Sequence, residues 1–561
     1  MKKYIYMMCL IIFITVPLLG SDNINLNLLY TNDIHGGIDP VPATFINPNF
    51  PPPLGGGASM ATYIQGVRKR AQEKGEAVLL LDAGDFFQGH PVGTMTHGTA
   101  IIKWMNAVNY DAMVLGNHDF DAGYDQLKKT LSGAEFPILG ANIVLEKTGE
   151  VIPEAKPYIF KNVKGIKVAI IGISTEDTPL MSFPKHIEGL KFLPVAPTLR
   201  KYREIVKDQG ADLIIVLGHL GLPYDIESAY QRDIVEGHMY DEDRSWPDNA
   251  MHLARKVEDI DIILGGHIHV GYDEPWEDPK THTLVFQNYA YGSNIGHVTI
   301  NIDKETETIG GYDLPDKQYG TLISMFSEEF IPDPEIKTMV DSLQKKAEKG
   351  MDSIIGRAGM HLTTYGDAQS LIGNTVMDAI REHSGADFAF LNLGGVRADI
   401  SKGPVTYRDV FEVLPFESRI VTMEISGATL KKILEVRVSG TRHGLRISGG
   451  KVVNNRNYPN FERITKIKID GEKWHPDSIY TVATTDYLMQ GNAGLTLLTD
   501  IPENQISYKM TLARDALANY FRNHEAVTAE IDDRWKRDDT SEHSSIIEKY
   551  NEQKKNNPAS K

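Results

Sequence analysis

Short apolar runs alternate with amphipathic stretches along the first half of the chain, from about residue 24 to residue 300. The runs are almost continuously hydrophobic, which is typical of strands that are covered on both faces. They read NLNLLYT, AVLLLD, DAMVLG, VAIIGIS, DLIIVLG and IDIILGG. Helical spacing in the stretches between them completes the pattern of an α/β domain.

The first 20 residues carry the pattern of a secretory signal. Lys2 and Lys3 precede the apolar stretch YIYMMCLIIFITVPLLG, which ends in small residues before Ser21. A membrane anchor is the alternative, but the apolar run is short for a bilayer span. We expect cleavage and export, most simply to the periplasm, and we find no later stretch that is long and apolar enough to span a membrane.

An amphipathic helix is predicted between two larger units. In DPEIKTMVDSLQKKAEKG, Asp333 is expected as the N-cap, Pro334 lies in the first turn and Gly350 marks the end. Its apolar stripe consists of Ile336, Met339, Val340, Leu343 and Ala347. The predicted organisation is a signal segment at residues 1–20, an α/β domain at 24–320, a linker helix at 330–350, an α+β domain at 351–535 and a polar tail at 536–561.

Charge and cysteine content exclude several classes of function. The net charge of −17 argues against nucleic-acid binding through a basic surface. The only cysteine, Cys9, lies within the predicted signal segment. After cleavage the chain would have no disulfide, no thiolate metal ligand and no cysteine nucleophile. We therefore do not expect nucleic acid as a partner, and the oligomeric state is open.

Five of the apolar runs end by presenting Asp, Asn or His, usually beside a glycine. Sites in α/β sheets are built at the carboxyl ends of strands. Each residue alone has an ordinary explanation, as a turn former or a structural histidine, but five such endings together favour a metal site. Seven of the ten polar residues at these endings are ligand candidates, too many for one tetrahedral ion. They suit two ions that share a carboxylate, about 3.5–4 Å apart, with Mn, Zn, Fe or Co preferred. The residues at these endings are Asp33, His35, Asp85, Asn117, His118, Asp119, Asp121, His219, His267 and His269.

The motifs YTNDIHG, DAGDFFQG, LGNHDFD, LGHLG and GGHIHV, in this order, resemble those of the calcineurin-like metallophosphoesterases. From about residue 26 to residue 530 the chain resembles the exported 5′-nucleotidase family, which adds a C-terminal domain. The resemblance implies a metallophosphoesterase-type α/β sandwich at 24–320 and a 5′-nucleotidase-type α+β substrate-binding domain at 351–535. It implies one metal held by Asp33, His35, Asp85 and His269, and a second held by Asp85, Asn117, His219 and His267. The family commonly has an amide at the position of His269, where the wider superfamily has histidine.

The resemblance also assigns the chemistry. Two cations would neutralise the phosphate oxygens and lower the pKa of bound water, which would attack phosphorus. His118 would stabilise the transition state, oriented by Asp121, and Asp119 would be a loop residue. The chain has no GxSxG elbow, no P-loop and no dinucleotide fingerprint, and hydrolysis of this kind needs none of them.

Four residues of the second domain match the family's substrate contacts. Asn392 and Arg397 would contact the substrate, Arg397 through its planar fork. Phe416 would stack on a base and Tyr487 would be the second aromatic of the clamp; without the family match, ordinary core packing would be the preferred explanation for both.

Two positions depart from the family. Ala368 stands where an arginine is usual, and Ala493 stands where an aspartate usually grips the ribose. Gln369 and Arg446 are the candidates to substitute for them.

We therefore predict an exported, two-domain, two-metal phosphoesterase that is most similar to a 5′-nucleotidase. The alternative within enzymes is a relative that hydrolyses cyclic phosphodiesters, nucleotide sugars or sulfur oxyanion esters. A third possibility is a non-catalytic binding protein on the same fold, against which the complete ligand set argues.

Overall fold

The structure is a computed structural model that describes residues 23–43, 46–47, 50–241, 248–315, 320–366, 368–439 and 444–539. The predicted signal segment and most of the predicted tail lie outside these ranges. Among the helices within them, none combines the length and the apolarity that crossing a bilayer requires.

The first domain consists of two sheets and the helices that cover them. Its strands are β1 Ile24–Thr31, β2 Val41–Pro42, β3 Pro53–Leu54, β4 Ala77–Asp82, β5 Ala112–Val114, β6 Ile138–Leu139, β7 Ile143–Leu145, β8 Tyr158–Val163, β9 Ile166–Ile173, β10 Leu190–Phe192, β11 Leu213–Gly218, β12 Ile262–Gly265, β13 Trp276–Glu277, β14 Leu284–Gln287, β15 Asn294–Asp303, β16 Thr308–Asp313 and β17 Leu322–Ser324. Its helices are α1 Gly57–Lys74, α2 Pro91–Met95, α3 Thr99–Ala107, α4 Tyr124–Leu131, α5 Thr178–Met181, α6 Val195–Asp208, α7 Ile226–Ala229 and α8 Ala250–Lys256.

The two large sheets pack face to face. One has the order β16-β15-β1-β4-β5-β6, with β17 also paired to β15, and the other has the order β13-β14-β12-β11-β9-β8. In the first sheet β1, β4 and β5 are parallel, and in the second β9, β11, β12 and β14 are parallel. Helices α1, α3 and α4 cover the outer face of the first sheet, and α6 and α8 cover that of the second.

Strand β1 shows why apolar residues stand at consecutive positions of such a run. Leu28 lies in the core between the two sheets, whereas Leu29 lies in the core beneath the helices, and both are fully buried. Successive side chains of a strand point to opposite faces, so a strand covered on both sides buries apolar residues at consecutive positions. The predicted α/β sandwich is confirmed.

The predicted linker helix is α9, Pro334–Ala347. Asp333 caps it by accepting hydrogen bonds from the backbone N–H groups of Glu335 and Ile336, at 3.0 and 2.9 Å. The helix ends before Gly350, the predicted stop. All five residues of the predicted stripe pack into the core that contains α1 and α3, so α9 is docked on the first domain.

The second domain is α+β, as predicted. Its strands are β18 Ile354–Ala358, β19 Phe388–Leu391, β20 Gly403–Thr406, β21 Arg419–Ser426, β22 Arg446–Ser448, β23 Gly450–Asn454, β24 Ile464–Ile469, β25 Glu472–Lys473, β26 Ile479–Thr485, β27 Ile506–Leu512 and β28 Trp535–Arg537. Its helices are α10 Leu371–Ser384, α11 Tyr407–Val413, α12 Gly427–Val438, α13 Asp486–Met489 and α14 Ala513–Asn523. The central sheet has the order β22-β19-β26-β21-β27 and shares one core with α10, α12 and α14.

Candidate active site

Polar side chains from both sheets of the first domain meet at one edge. Strands β1, β4 and β5 of the first sheet and β11 and β12 of the second deliver them just beyond their carboxyl ends. The side chains form two groups, in each of which the ligand atoms lie within 4.8 Å of one another. The groups are Asp33, His35 and His269, and Asp85, His219 and His267.

The backbone at this edge is unusual. Five of the seven predicted metal ligands adopt positive φ, a conformation that non-glycine residues rarely take and that costs about 1–3 kcal/mol each. The values are 49° for Asp33, 47° for His35, 59° for Asp85, 77° for His267 and 60° for His269. Such turns, each placed shortly after a strand end, bring both groups to the same edge.

Glycines let the loops approach one another closely. A Cβ at Gly116 would lie 2.2 Å from Oδ1 of Asp85, and one at Gly84 would lie 2.9 Å from Nδ1 of His219. These glycines belong to the LGNHD and DAGD motifs. Steric room, together with turn geometry, therefore explains why glycine accompanies the polar residues.

Hydrogen bonds orient the ligand candidates. The Nδ1 atoms of His35 and His219 donate to the carbonyl oxygens of Gln88 and Ala83, at 2.7 and 2.8 Å, so that each Nε2 faces the site. Nε2 of His219 lies 3.1 Å from Oδ1 of Asn117.

The carboxylates of Asp33 and Asp85 are only partly hydrogen-bonded. Oδ2 of Asp33 accepts from the side chain of Asn32 and from the backbone N–H of His267, both at 2.8 Å. Within the described part of the chain, Oδ1 of Asp33 and Oδ2 of Asp85 are buried without a hydrogen-bond partner. Buried carboxylate oxygens are costly without a donor or a cation.

The pKa shifts of the ligand candidates indicate that the site favours a bound positive charge. Burial lowers the pKa of His267 to about 3, and it lowers the pKa of His35 and His269 well below the ordinary value. Nε2 of His35 lies 3.0 Å from Nε2 of His269, which places a ring nitrogen of each histidine on the same point of the site. Burial would raise the pKa of Asp85, but the surrounding histidines, His219 first, hold it well below the ordinary range. Burial would lower the pKa of His219, but Asp85 in turn raises it to about 10, so in the absence of an ion a proton on His219 supplies the positive charge. A divalent cation would replace that proton, and carboxylate and imidazole are donor types that such ions accept, so the residues fit them.

His118 and Asp121 form a pair beside these groups. Nδ1 of His118 donates to Oδ2 of Asp121 at 2.6 Å, and its backbone N–H donates to Oδ1 of Asp85 at 2.8 Å. Burial would lower the pKa of His118, but the Asp121 carboxylate more than offsets this and the pKa is raised. The imidazole is thus held in one orientation and favoured in its charged form.

Asp119 has a role that sequence reasoning missed. We expected a loop residue, but Asp119 is buried and Oδ2 accepts from the backbone N–H groups of Gly116 and Asp85, at 2.8 and 3.2 Å. It therefore ties the loop after β5 to the loop after β4. The only signal was its place between His118 and Asp121 in the motif.

The second domain completes the site. A cleft of 570 Å³ is lined by residues of both domains, including all four predicted substrate contacts, Asn392, Arg397, Phe416 and Tyr487. Nη2 of Arg397 lies 3.3 Å from Nε2 of His269, and the ring of Phe416 lies 5.7 Å from that of His118. Tyr487 lies edge-on to Phe183 of the first domain, at 5.9 Å. Phe416 and Tyr487 thus line the cleft, which ordinary core packing would not require.

The two candidates proposed to replace the missing family contacts do not line the cleft. Ala368 is buried, and Ala493 adopts a φ of 55°. Gln369 donates to the carbonyl oxygen of Trp535 and Arg446 donates to Ser370, and neither of these candidates lines the cleft.

Two family models cover most of the chain. Residues 26–271 match the calcineurin-like phosphoesterase model, and residues 350–500 match the 5′-nucleotidase, C-terminal domain. The structure resembles the crystal structure of the 5′-nucleotidase precursor from Thermus thermophilus, with a TM-score of 0.78 and 25% identity, over 91% of this chain and 99% of that one.

Curated relatives align with most of the chain at moderate identity. The chain is 28% identical over 511 residues to the 5′-nucleotidase of Vibrio parahaemolyticus, covering 84% of this chain and 86% of that protein. It is 26% identical over 487 residues to Endonuclease YhcR of Bacillus subtilis (strain 168), covering 83% of this chain. The chain spans only 37% of the length of that relative.

The fold and the site define a two-domain protein of the calcineurin-like phosphoesterase class, whose members use divalent metals. Residues 350–500 match the 5′-nucleotidase C-terminal domain, so the chain combines the two domains that its motifs predicted, and it is similar to 5′-nucleotidases over most of its length.

Proposed function

We propose that this chain hydrolyses phosphate monoesters with two divalent metal ions, and that its substrates are nucleotides. The observation that carries the proposal is the position of Oδ2 of Asp85. This atom lies 3.7 Å from Nε2 of His35 and 3.1 Å from Nε2 of His219, so one buried, unpartnered oxygen faces both ligand groups. A carboxylate in that position suits a bridge between two ions.

The ligand sets follow from the two groups. Asp33, His35, Asp85 and His269 would hold one ion, and Asp85, Asn117, His219 and His267 would hold the other. We propose Mn, Zn, Fe or Co, because the donors are oxygen and imidazole nitrogen. When bound, the ions supply neutralisation of the phosphate charge and a lowered pKa for bound water.

The chain's own residues position the ester and stabilise the developing charge. Asp121 holds Nδ1 of His118, which leaves the other ring nitrogen to donate to a phosphate oxygen as negative charge accumulates. The guanidinium of Arg397, beside His269, offers a planar fork to the same phosphate. Phe416 and Tyr487, with Asn392, would hold a planar base in the cleft.

We also propose that the chain is exported, on the pattern of residues 1–20, and that its domains follow the predicted boundaries, 24–320 and 351–535. Export of a phosphoesterase would place it where extracellular phosphate esters are its substrates.

A substrate panel tests the proposal. The full chain with Mn²⁺ or Zn²⁺ should hydrolyse nucleoside monophosphates, and Asp85→Asn should lose both ions and nearly all turnover while its circular dichroism spectrum stays native. Two ions per chain and near-native turnover in Asp85→Asn would refute the ligand assignment. Hydrolysis of cyclic phosphodiesters, nucleotide sugars or sulfur oxyanion esters, without nucleotide hydrolysis, would refute the substrate. Bound metal without any hydrolysis would indicate a binding protein.

A further inference from the structure

Arg446 is a buried guanidinium that forms no ion pair with an acidic side chain of the described residues. It is 4% exposed, Nη1 donates to Oγ of Ser370 at 2.7 Å, and Nε has no hydrogen-bond partner within the described residues. Burial lowers its pKa to about 10, and no acidic side chain of the described ranges offsets the effect. Arg446 therefore remains charged at neutral pH, inside the second domain, with its charge uncompensated.

The guanidinium lies on the first turn of α10. Ser370, its hydrogen-bond partner, is the N-cap of this 14-residue helix, and its Oγ also accepts from the backbone N–H of Gly373 at 3.1 Å. A Cβ at Gly373 would lie 2.2 Å from Nη1 of Arg446, so the close approach requires glycine. The first turn contains no acidic residue, and a helix N-terminus carries partial positive charge. The guanidinium of Arg446 therefore lies next to the positive end of the helix dipole.

Arg534, another buried arginine of the same domain, is paired with acidic side chains. It is 9% exposed, and it pairs with Asp378 at 2.8 Å and Asp532 at 2.9 Å. A buried charge is costly unless it is paired, which explains the two acids around Arg534. Arg446 lacks any counterpart of them, so the charge that balances it must come from outside the described chain.

We propose that Arg446 and the N-terminus of α10 bind a small oxyanion of the phosphate or sulfate class. The guanidinium fork and the helix terminus both favour such oxygens, and Ser370 adds a hydroxyl. The site is separate from the metal centre, since neither Arg446 nor Ser370 lines the catalytic cleft. It adjoins the cleft wall, because Arg446 pairs across the sheet with Leu391, the residue before Asn392.

Thermal unfolding of the full chain tests this proposal without any activity measurement. Sulfate, added at millimolar concentration against chloride at equal ionic strength, should raise the melting temperature of the wild type saturably, because a ligand of the folded state stabilises it. Arg446→Met should lose this shift. In sulfate-free buffer the same variant should melt at or above the wild-type temperature, because replacing an unpaired buried charge with an apolar side chain is neutral or stabilising.

Arg534→Met is the matched control. It should melt below the wild type in both buffers, because Asp378 and Asp532 lose their partner, yet it should keep the sulfate shift. Arg446→Lys, which keeps the charge but not the fork, should show a reduced shift.

The proposal is overturned if the wild type shows no saturable shift, or if Arg446→Met retains it. A melting temperature of Arg446→Met below that of the wild type in sulfate-free buffer would also overturn it, because the protein alone would then stabilise the guanidinium. So would a raised KM for nucleotides without loss of the sulfate shift, which would place Arg446 in substrate binding.

Discussion

Replacing Gly116 by alanine should damage the metal centre although it alters no ligand. The new Cβ would lie 2.2 Å from Oδ1 of Asp85 and 2.6 Å from its backbone nitrogen. The backbone at Gly116 does not adopt positive φ, so alanine introduces steric conflict without backbone strain. The substitution therefore displaces Asp85, both its carboxylate and its backbone, without replacing any ligand.

The distance between the new Cβ and Asp85 determines how large the loss of metal binding and activity should be. Oδ1 must retreat by about 1 Å to restore ordinary van der Waals contact. Metal–ligand distances tolerate changes of roughly 0.2 Å, so a shift of this size should weaken binding at both ions that Asp85 is proposed to share. A displacement of about 1 Å near reacting groups costs on the order of 100-fold in rate, and the overpacking itself costs about 1–3 kcal/mol.

Gly218→Ala provides the matched control. Gly218 lies directly before His219, but a Cβ there would meet its nearest atom, Cγ2 of Ile263, at 3.6 Å, which is ordinary contact. We expect Gly116→Ala to lose about 100-fold in kcat/KM and to retain less metal after dialysis, while Gly218→Ala stays close to the wild type. Metal analysis, steady-state kinetics and thermal melting of both variants measure this. Normal metal content and turnover in Gly116→Ala would refute the reasoning.

Two further predictions concern the chemistry and the specificity. His118→Asn should lower kcat by roughly 10²–10³-fold with normal metal content, because it removes a donor to the transition state and no ligand; loss of metal along with activity would make His118 a ligand. AMP and 2′-deoxy-AMP should have similar kcat/KM, because Ala493 offers no polar atom beyond its backbone and neither Gln369 nor Arg446 lines the cleft. A strong preference for AMP would show that other residues grip the ribose.

Strand positions and the polar endings were predictable because their causes are local. A strand covered on both faces buries apolar residues at consecutive positions, as Leu28 and Leu29 show, and the chain then turns where Asp33 and His35 follow. The linker helix was predictable for the same reason, since Asp333 caps its own first turn and the stripe repeats at helical spacing.

The sequence by itself therefore determined the α/β and α+β domains, the edge of the sheets where the polar residues gather, and the family. Only the tertiary structure decided which side chains meet there. The contact of Arg397 with His269 joins residues of two domains, and the bonds of Asp119 join two loops. Arg446 reached no acid in the described fold, although its sequence neighbours gave no sign of this. Such contacts depend on packing between segments distant along the chain, which local periodicity does not encode.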